Sequence, residues 1–326
     1  MCKRMMYLLL LVGFALLIKG ADYFVQGASN IATSLRVSPL LIGLTIVAFG
    51  TSAPEATVSI LAALQGSADV TLGNVVGSNI FNITLIVGVT AFLSPLMVES
   101  SIIRKEIPFT MLGSVVLLVL ISDVVLDGLS DNILTRSDGL VFLLIFSVFM
   151  YYIFEVARND RSIAATSNIE DNIAPSKTNW GKNILFTIGG LLAIIFGGNL
   201  VVTNAVEIAY SFGMSETLVG LTIVAIGTSL PELVTSITAA LKKESEIALG
   251  NLVGSNIFNI LFVVGASAVI SPLPVNNDIF TDLLILIVIT LALFIFSRSN
   301  YRISRVEGII LVAAYIVYLV YIIVRG

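Results

Sequence analysis

Two copies of one short polar phrase lie 177 residues apart in otherwise apolar sequence: GLTIVAFGTSAPE at 43–55 and GLTIVAIGTSLPE at 220–232. A second pair, LGNVVGSNIFNI at 72–83 and LGNLVGSNIFNI at 249–260, keeps the same offset without a gap. The chain is therefore an internal duplication, and any fold it adopts must satisfy the same polar stretch twice. Each copy carries a glutamate, Glu55 or Glu232, inside an apolar run.

Those runs settle the solvent. With 57% apolar residues, 12% charged and a mean hydropathy of +1.03, the chain lies outside soluble usage and reads as an integral membrane protein. Ten apolar runs reach the roughly 18 residues needed to span a bilayer as a helix. They cover 6–33, 38–65, 70–93, 106–123 and 139–157, then 182–211, 215–241, 247–271, 279–297 and 304–324. The alternating segments of a membrane barrel are absent. Five spans per copy is an odd number, so the second copy must enter from the opposite face. The expected fold is all-α, with ten transmembrane helices in two inverted five-helix repeats, 1–157 and 182–326, and helices 2, 3, 7 and 8 broken. This is a recurrent architecture of secondary transporters, with the site near the midplane. The polar stretch 158–181 joins the halves on the cytoplasmic side and is too short for a domain of its own.

Basic residues orient the chain. With the N-terminus outside, twelve fall in cytoplasmic loops: Arg36, Arg104, Lys105, Arg158, Arg161, Lys177, Lys182, Lys242, Lys243, Arg298, Arg302 and Arg305. Four fall outside: Lys3, Arg4, Arg136 and Arg325. The total outweighs the opposing signal of Lys3 and Arg4, and both termini are expected on the extracellular or periplasmic side of the plasma (inner) membrane. No small-residue cleavage site marks the first run as a signal peptide. The outer loops carry Asp69, Asp123, Asp127, Asp131, Asp138, Glu216, Asp278 and Asp282. They admit two readings, a rim that concentrates cations or ordinary solvation of turns. Cys2 is the single cysteine and histidine is absent, which excludes internal disulfides and imidazole-based sites.

The chemistry lies in the repeated phrases. Pro54 and Pro231 cannot donate to the carbonyls of Gly50 and Gly227, so each helix should break there and release backbone oxygens at membrane depth. Free carbonyls in a bilayer require a cavity or a ligand, and a cation is the natural partner. Glu55 and Glu232 then open the next half-helix, where the dipole favours negative charge. An ionised side chain at such depth costs about 3 kcal/mol. If the inverted copies face each other, the two carboxylates converge with Thr51, Ser52, Thr228 and Ser229 into an all-oxygen cage. Hard cations, calcium above all, select such cages; soft metals find no thiol or imidazole.

In the second phrase Asn74, Ser78 and Asn82 fall at i, i+4 and i+8 on one helix face, and Asn251, Ser255 and Asn259 repeat them. They read either as interhelical hydrogen-bond glue or as site residues, and repetition beside the glutamate phrases favours the site for Ser78, Asn82, Ser255 and Asn259. Asn79 and Asn256 point off the stripe and are expected to pack. Gly73, Gly77, Gly250 and Gly254 are spaced for close helix approach. Lys19 and Asp22, three residues apart, are expected to pair. Glu207 lies near a helix end and reads as interfacial.

GTSAPE and GTSLPE, each followed by GNxVGSNIFN, resemble the two alpha repeats of the calcium/cation antiporter superfamily, in its compact prokaryotic sodium/calcium exchanger branch. The resemblance covers 38–96 and 215–273 in detail and nearly the whole chain in layout. It implies exchange of calcium for sodium by alternating access. By position it makes Glu55 and Glu232 shared ligands of both ions, with the carbonyls of Thr51 and Thr228 completing the calcium site. Ser52, Ser78, Ser229 and Ser255, with the carbonyls of Ala48 and Ala225, would serve sodium, and Asn82 and Asn259 would flank the centre. Helices 1 and 6, here 6–33 and 182–211, would slide against the rest. Asn259 stands where potassium-dependent exchangers carry an aspartate, which weighs against potassium cotransport.

A proton/calcium exchanger is the alternative within transport; it needs only the carboxylates, whereas the Ser and Asn pairs suit sodium. A passive channel would use similar ligands, but a central cage has no need of a through-pore. No nucleophile-and-base pair or cofactor motif suggests an enzyme. Calcium, sodium and lipid are the expected partners, with no cofactor and no nucleic acid.

Overall fold

The computed structural model describes residues 3–126, 128–166, 179–211 and 225–325. Apart from four two-residue strands, every regular element is helical. Helix α1 is Lys3–Leu35. Helix α2, Pro39–Thr51, bends by 50° into α3, Ala53–Leu64. Next come α4, Ala68–Leu93, and α5, Ile107–Leu120, led in by a π turn at Ile102–Glu106. A short α6, Asp123–Leu126, precedes α7, Arg136–Thr166. The second half holds α8, Trp180–Ser211, α9, Ala225–Thr228, and α10, Leu230–Leu241. It continues with α11, Ser245–Ile270, α12, Asn277–Arg298, and α13, Arg305–Arg325.

Among the described residues, seven helices are long and apolar enough to cross a membrane, and the bent pair α2 and α3 makes an eighth. Of the ten spans expected, 106–123 is not among these: the helix runs from the π turn at Ile102 to Leu120, and Arg104, Lys105 and Glu106 crowd three charges into its opening turns. The start of 215–241 lies outside the described residues. Glu216, Lys177 and Asp127 lie outside them too.

Two further expectations are corrected. Helices α4 and α11 are continuous rather than broken. Neither contains proline, and the irregularity is taken up by π turns at Asn82–Ile86 and Phe258–Val264, which keep the backbone hydrogen-bonded while shifting its register. Helix α7 also runs on to Thr166, past the expected linker start at 158. Its Asp160 carboxylate accepts a hydrogen bond from the Ser38 N–H at 3.2 Å, fastening that extension to the start of α2.

Helices α4 and α11 form the centre, with 78% of each spanning window buried, against 39% or less for α1, α7, α8, α12 and α13. Two small antiparallel ladders tie the halves together: Leu96–Met97 (β1) with Arg302–Ile303 (β4), and Ile133–Leu134 (β2) with Leu273–Pro274 (β3). Leu96 and Leu273, 177 residues apart, thus each pair with the opposite half.

Helices α1 and α8 pack on each other along most of their length, far more extensively than either packs on the remainder. Their seam is built on Gly13, Gly20 and Gly27, one every seven residues and so on one face. A Cβ at Gly20 would lie 2.9 Å from the Gly190 carbonyl oxygen, one at Gly190 2.6 Å from the Phe24 nitrogen, and one at Gly197 2.8 Å from the Gly13 oxygen. The backbones touch, as small-residue seams permit. The expected close approach at Gly250 and Gly254 is also seen: added Cβ atoms there would meet Leu40 O at 2.8 Å and Leu44 O at 2.7 Å. For Gly73 and Gly77 the equivalent facing stretch is 217–225, of which 217–224 lies outside the described residues.

The pairing expected between Lys19 and Asp22 does not form. Asp22 is engaged instead by Lys242, whose Nζ lies 2.7 Å from its Oδ1 and donates to its backbone oxygen at 2.7 Å. The loop after α10 outcompetes the local neighbour because it satisfies carboxylate and carbonyl together. One turn or two further on, Ser29 Oγ donates to Glu244 at 2.9 Å and Asn30 Nδ2 to Asn183 at 3.2 Å. Several of the loop aspartates expected outside are bonded within turns or to one another's loops: Asp123 accepts from Ile133 N, Asp138 from Thr135 N and Oγ1, and Asp69 from Asn276. Asp282 takes a two-pronged contact from Arg325 at 3.0 and 3.1 Å. Glu207 is half-buried and lines an open cavity of about 690 Å³ with Val202, Thr203 and Val206.

Candidate functional site

The break between α2 and α3 is a single residue, Ser52, at φ −80° and ψ 4°. Ala53 and Pro54 then begin α3, so proline occupies a first-turn position where its missing N–H costs nothing. Glu55 follows in that same first turn. The second copy repeats this at Ser229 (φ −90°, ψ 8°), with Pro231 and Glu232 in the first turn of α10. Both glutamates are buried, Glu55 at 1% exposure and Glu232 at 0%.

The two carboxylates are bound reciprocally across the halves. Ser52 Oγ donates to Glu232 Oε1 at 2.9 Å, and Ser229 Oγ donates to Glu55 Oε1 at 2.8 Å. Ser229 Oγ also lies 3.4 Å from Ser78 Oγ, which brings the second phrase to the same point. Each glutamate thus has one oxygen held by the opposite half. The other, Oε2 in both residues, has no hydrogen-bond partner among the described residues.

The asparagines show the same division. Asn82 Nδ2 donates to Asn256 Oδ1 at 3.2 Å, and Asn259 Nδ2 donates to Asn79 Oδ1 at 3.3 Å. Asn79 Nδ2 in turn donates to the Asn256 backbone oxygen. With their N–H groups committed, Asn82 and Asn259 each leave Oδ1 without a partner, and both residues are buried. The π turn carrying Asn259 packs on α3, the helix of Glu55, and the π turn carrying Asn82 packs on α10, the helix of Glu232. Four buried acceptor oxygens, two anionic and two neutral, are therefore presented by elements in mutual contact. Buried acceptors without donors cost about 1 to 3 kcal/mol each, so four of them, without partners among the described residues, suit a partner that supplies positive charge.

The remaining expected site residues are placed as follows. Thr51 is buried; its Oγ1 donates to Asn251 Oδ1 at 2.9 Å and lies 3.4 Å from the Ala48 carbonyl oxygen. That same oxygen lies 3.5 Å from Ser255 Oγ, which makes Ala48, Thr51 and Ser255 neighbours. Ala225 and Thr228 bound the short helix α9 that leads to the Ser229 break, and Thr228 is half-buried. Of the stripe, Asn74 and Asn251 act as struts: Asn74 Nδ2 donates to Ser59 Oγ at 2.9 Å and to the Glu55 backbone oxygen at 3.2 Å, and Asn251 Nδ2 donates to Ser236 Oγ at 2.9 Å.

Four contributors escaped the sequence reading. Asn79 and Asn256, expected only to pack, orient the central amides. Ser59 and Ser236 anchor Asn74 and Asn251. Their signal was present, since each stands four residues after its glutamate in both copies and so on the same helix face.

The α1 and α8 pair lies across both breaks. Leu191 and Phe24 cover Gly50, at 3.1 and 3.6 Å from the position of an added Cβ; Gly198 faces Pro231 at 3.9 Å, and Val202 covers Gly227.

The family model described as sodium/calcium exchanger protein matches residues 5–155 and 182–324. The chain is 44% identical to a putative antiporter, CaxA, of Alkalimonas amylolytica over 315 residues, which cover 94% of this chain and 95% of that one. It is 34% identical over 341 residues to the sodium/calcium exchanger MaX1 of Methanosarcina acetivorans, covering 96% and 97%. Among solved structures, the sodium-calcium exchanger NCX_Mj soaked with 10 mM Na+ and zero Ca2+ superposes with a TM-score of 0.82 at 31% identity, over 98% of this chain and 99% of that chain.

Proposed function

This chain belongs to the sodium/calcium exchanger family of membrane cation antiporters, and from that membership we propose that it exchanges calcium for sodium by alternating access at the paired glutamates. The observation that carries the reading is the reciprocal set of partnerless oxygens, Glu55 Oε2, Glu232 Oε2, Asn82 Oδ1 and Asn259 Oδ1, beside the serine hydroxyls. Two carboxylates match the charge of one calcium ion, which accepts irregular oxygen cages. A proton needs only a carboxylate, whereas sodium needs neutral oxygens around it: Ser52 and Ser229 bond the carboxylates directly, Ser78 lies beside Ser229, and Ser255 beside the Ala48 carbonyl.

In this reading Glu55 and Glu232 serve both ions. The carbonyls of Thr51 and Thr228 complete the calcium shell, and the serines, with the carbonyls of Ala48 and Ala225, hold sodium. Halves 1–157 and 182–326 act as two inverted five-helix repeats of a ten-helix bundle, with both termini outside. Helices α1 and α8 move as one piece over the breaks they cover.

Calcium uptake into proteoliposomes, driven in turn by an outward sodium gradient, a pH gradient or neither, tests the counter-ion. Sodium-driven uptake is expected. Uptake driven only by pH would assign the chain as a proton/calcium exchanger, and uptake without any counter-ion would make it a channel.

The serines provide a finer expectation. Ser52→Ala removes the donor to Glu232 Oε1, and Ser229→Ala the donor to Glu55 Oε1. Each hydroxyl is also a neutral oxygen the proposed site offers to sodium, and a contact worth about 1 to 3 kcal/mol corresponds to roughly five- to 150-fold in affinity. The sodium concentration giving half-maximal exchange should rise by about that factor in either variant; an unchanged sodium dependence would remove the serines from the ion site.

A further inference from the structure

Beyond the ion site, the basic end of the bundle holds a cavity of about 470 Å³ between the start of the α5 segment and the end of α12. Arg104 and Arg298 form its walls, Ser100 and Tyr301 add polar groups, and Ile103 and Phe294 are apolar lining. Arg298 is the last residue of α12, and Arg104 lies in the π turn that opens the α5 segment, so both sit where helices end. A second cavity of about 370 Å³ shares Arg104 and extends past Lys105 and Phe109 to Leu112, itself 47% exposed.

Neither arginine makes an ion pair among the described residues. Arg298 rests over the Phe294 ring at 5.9 Å and Lys105 over Tyr152 at 5.1 Å. Of the carboxylates on neighbouring segments, Glu99 accepts from Ser101 and interacts with Glu246, Glu106 accepts from the Tyr152 hydroxyl, and none forms an ion pair with either arginine among the described residues. Two guanidinium groups without counter-charges, lining one cavity at a helix-end level, match a phosphate. The apolar wall continuing onto exposed Leu112 matches an acyl chain, which a free anion lacks. We propose that this cavity binds the headgroup of an anionic phospholipid, with Arg104 and Arg298 holding its phosphate. Basic pockets between membrane helices are suited to such headgroups.

The test is native mass spectrometry of the full-length protein with phosphatidylglycerol or phosphatidylcholine, run beside the Arg104→Gln/Arg298→Gln double variant. An Arg302→Gln/Arg305→Gln variant removes the same charge from the same end but outside the cavity, and thermal midpoints check folding. Phosphatidylglycerol should be retained preferentially by the parent and the control. Each arginine should contribute about fivefold, so the double variant should lose roughly twenty-five-fold. If the double variant does not fold, Arg298→Gln alone should lose about fivefold. Equal retention by the cavity variants, equal loss in the control, or phosphatidylcholine held as tightly would overturn the proposal. So would inorganic phosphate binding as tightly as the lipid, since that would reduce the site to one for a free anion.

Discussion

Glu55→Gln and Glu232→Gln are each expected to reduce calcium exchange at least a hundredfold while the protein still accumulates in the membrane. The amide has nearly the same shape and still offers an oxygen to its partner serine, Ser229 or Ser52, so the packing around the break is kept. What disappears is one of the two negative charges that face the cation. A charge-assisted contact is about twice as strong as a neutral one, and in a water-poor interior one carboxylate cannot offset a divalent ion alone. Insertion should improve if it changes at all, because an ionised residue at a helix centre costs about 3 kcal/mol. Calcium uptake by proteoliposomes with matched amounts of protein measures the loss. Either variant exchanging at more than a tenth of the parent rate would take that glutamate out of the ion site.

Gly190→Leu should do comparable damage from a position that touches no ion. Its first side-chain atom would lie 2.6 Å from Phe24 N and 2.7 Å from Gly20 O, both backbone atoms that cannot step aside. Overpacking of side chains alone costs about 1 to 3 kcal/mol, and here the helices themselves must part. The neighbouring Gly189 is the control: it is exposed, and a Cβ there meets nothing within 4 Å. Gly190→Leu is expected to lower the thermal midpoint by several degrees and to cut transport at least tenfold, while Gly189→Leu leaves both near the parent values. If the two variants behave alike, the seam is not a fixed contact.

The first expectation begins in the sequence; the second rests on the packing of α1 against α8, which the sequence reading did not single out. The membrane class and the break at Ser52 were legible because length, apolarity and Pro54 are local properties with direct physical consequences. The meeting of Glu55 and Glu232 was expected from the duplication, and the reciprocal serine bonds join the two copies at those residues. The roles of Asn79 and Asn256 were missed because a stripe on one helix says nothing about its partner: each bonds asparagines of the opposite copy. Lys242 as the partner of Asp22 was also out of reach, since spacing along one helix says nothing about a loop 220 residues away. Polar composition concealed the extension of α7 to Thr166, because hydropathy marks where a bilayer ends and not where a helix does.

The glycine seam between α1 and α8 leaves no side-chain layer to yield between the two backbones. Neither helix can therefore shift alone: a push on one is delivered whole to the other. Because α8 and the Phe24 turn of α1 lie over the breaks of both halves, in the exchange proposed above a displacement that uncovers one break is expected to close over the other, with rigidity between two neighbours standing in for any signal through the ion site.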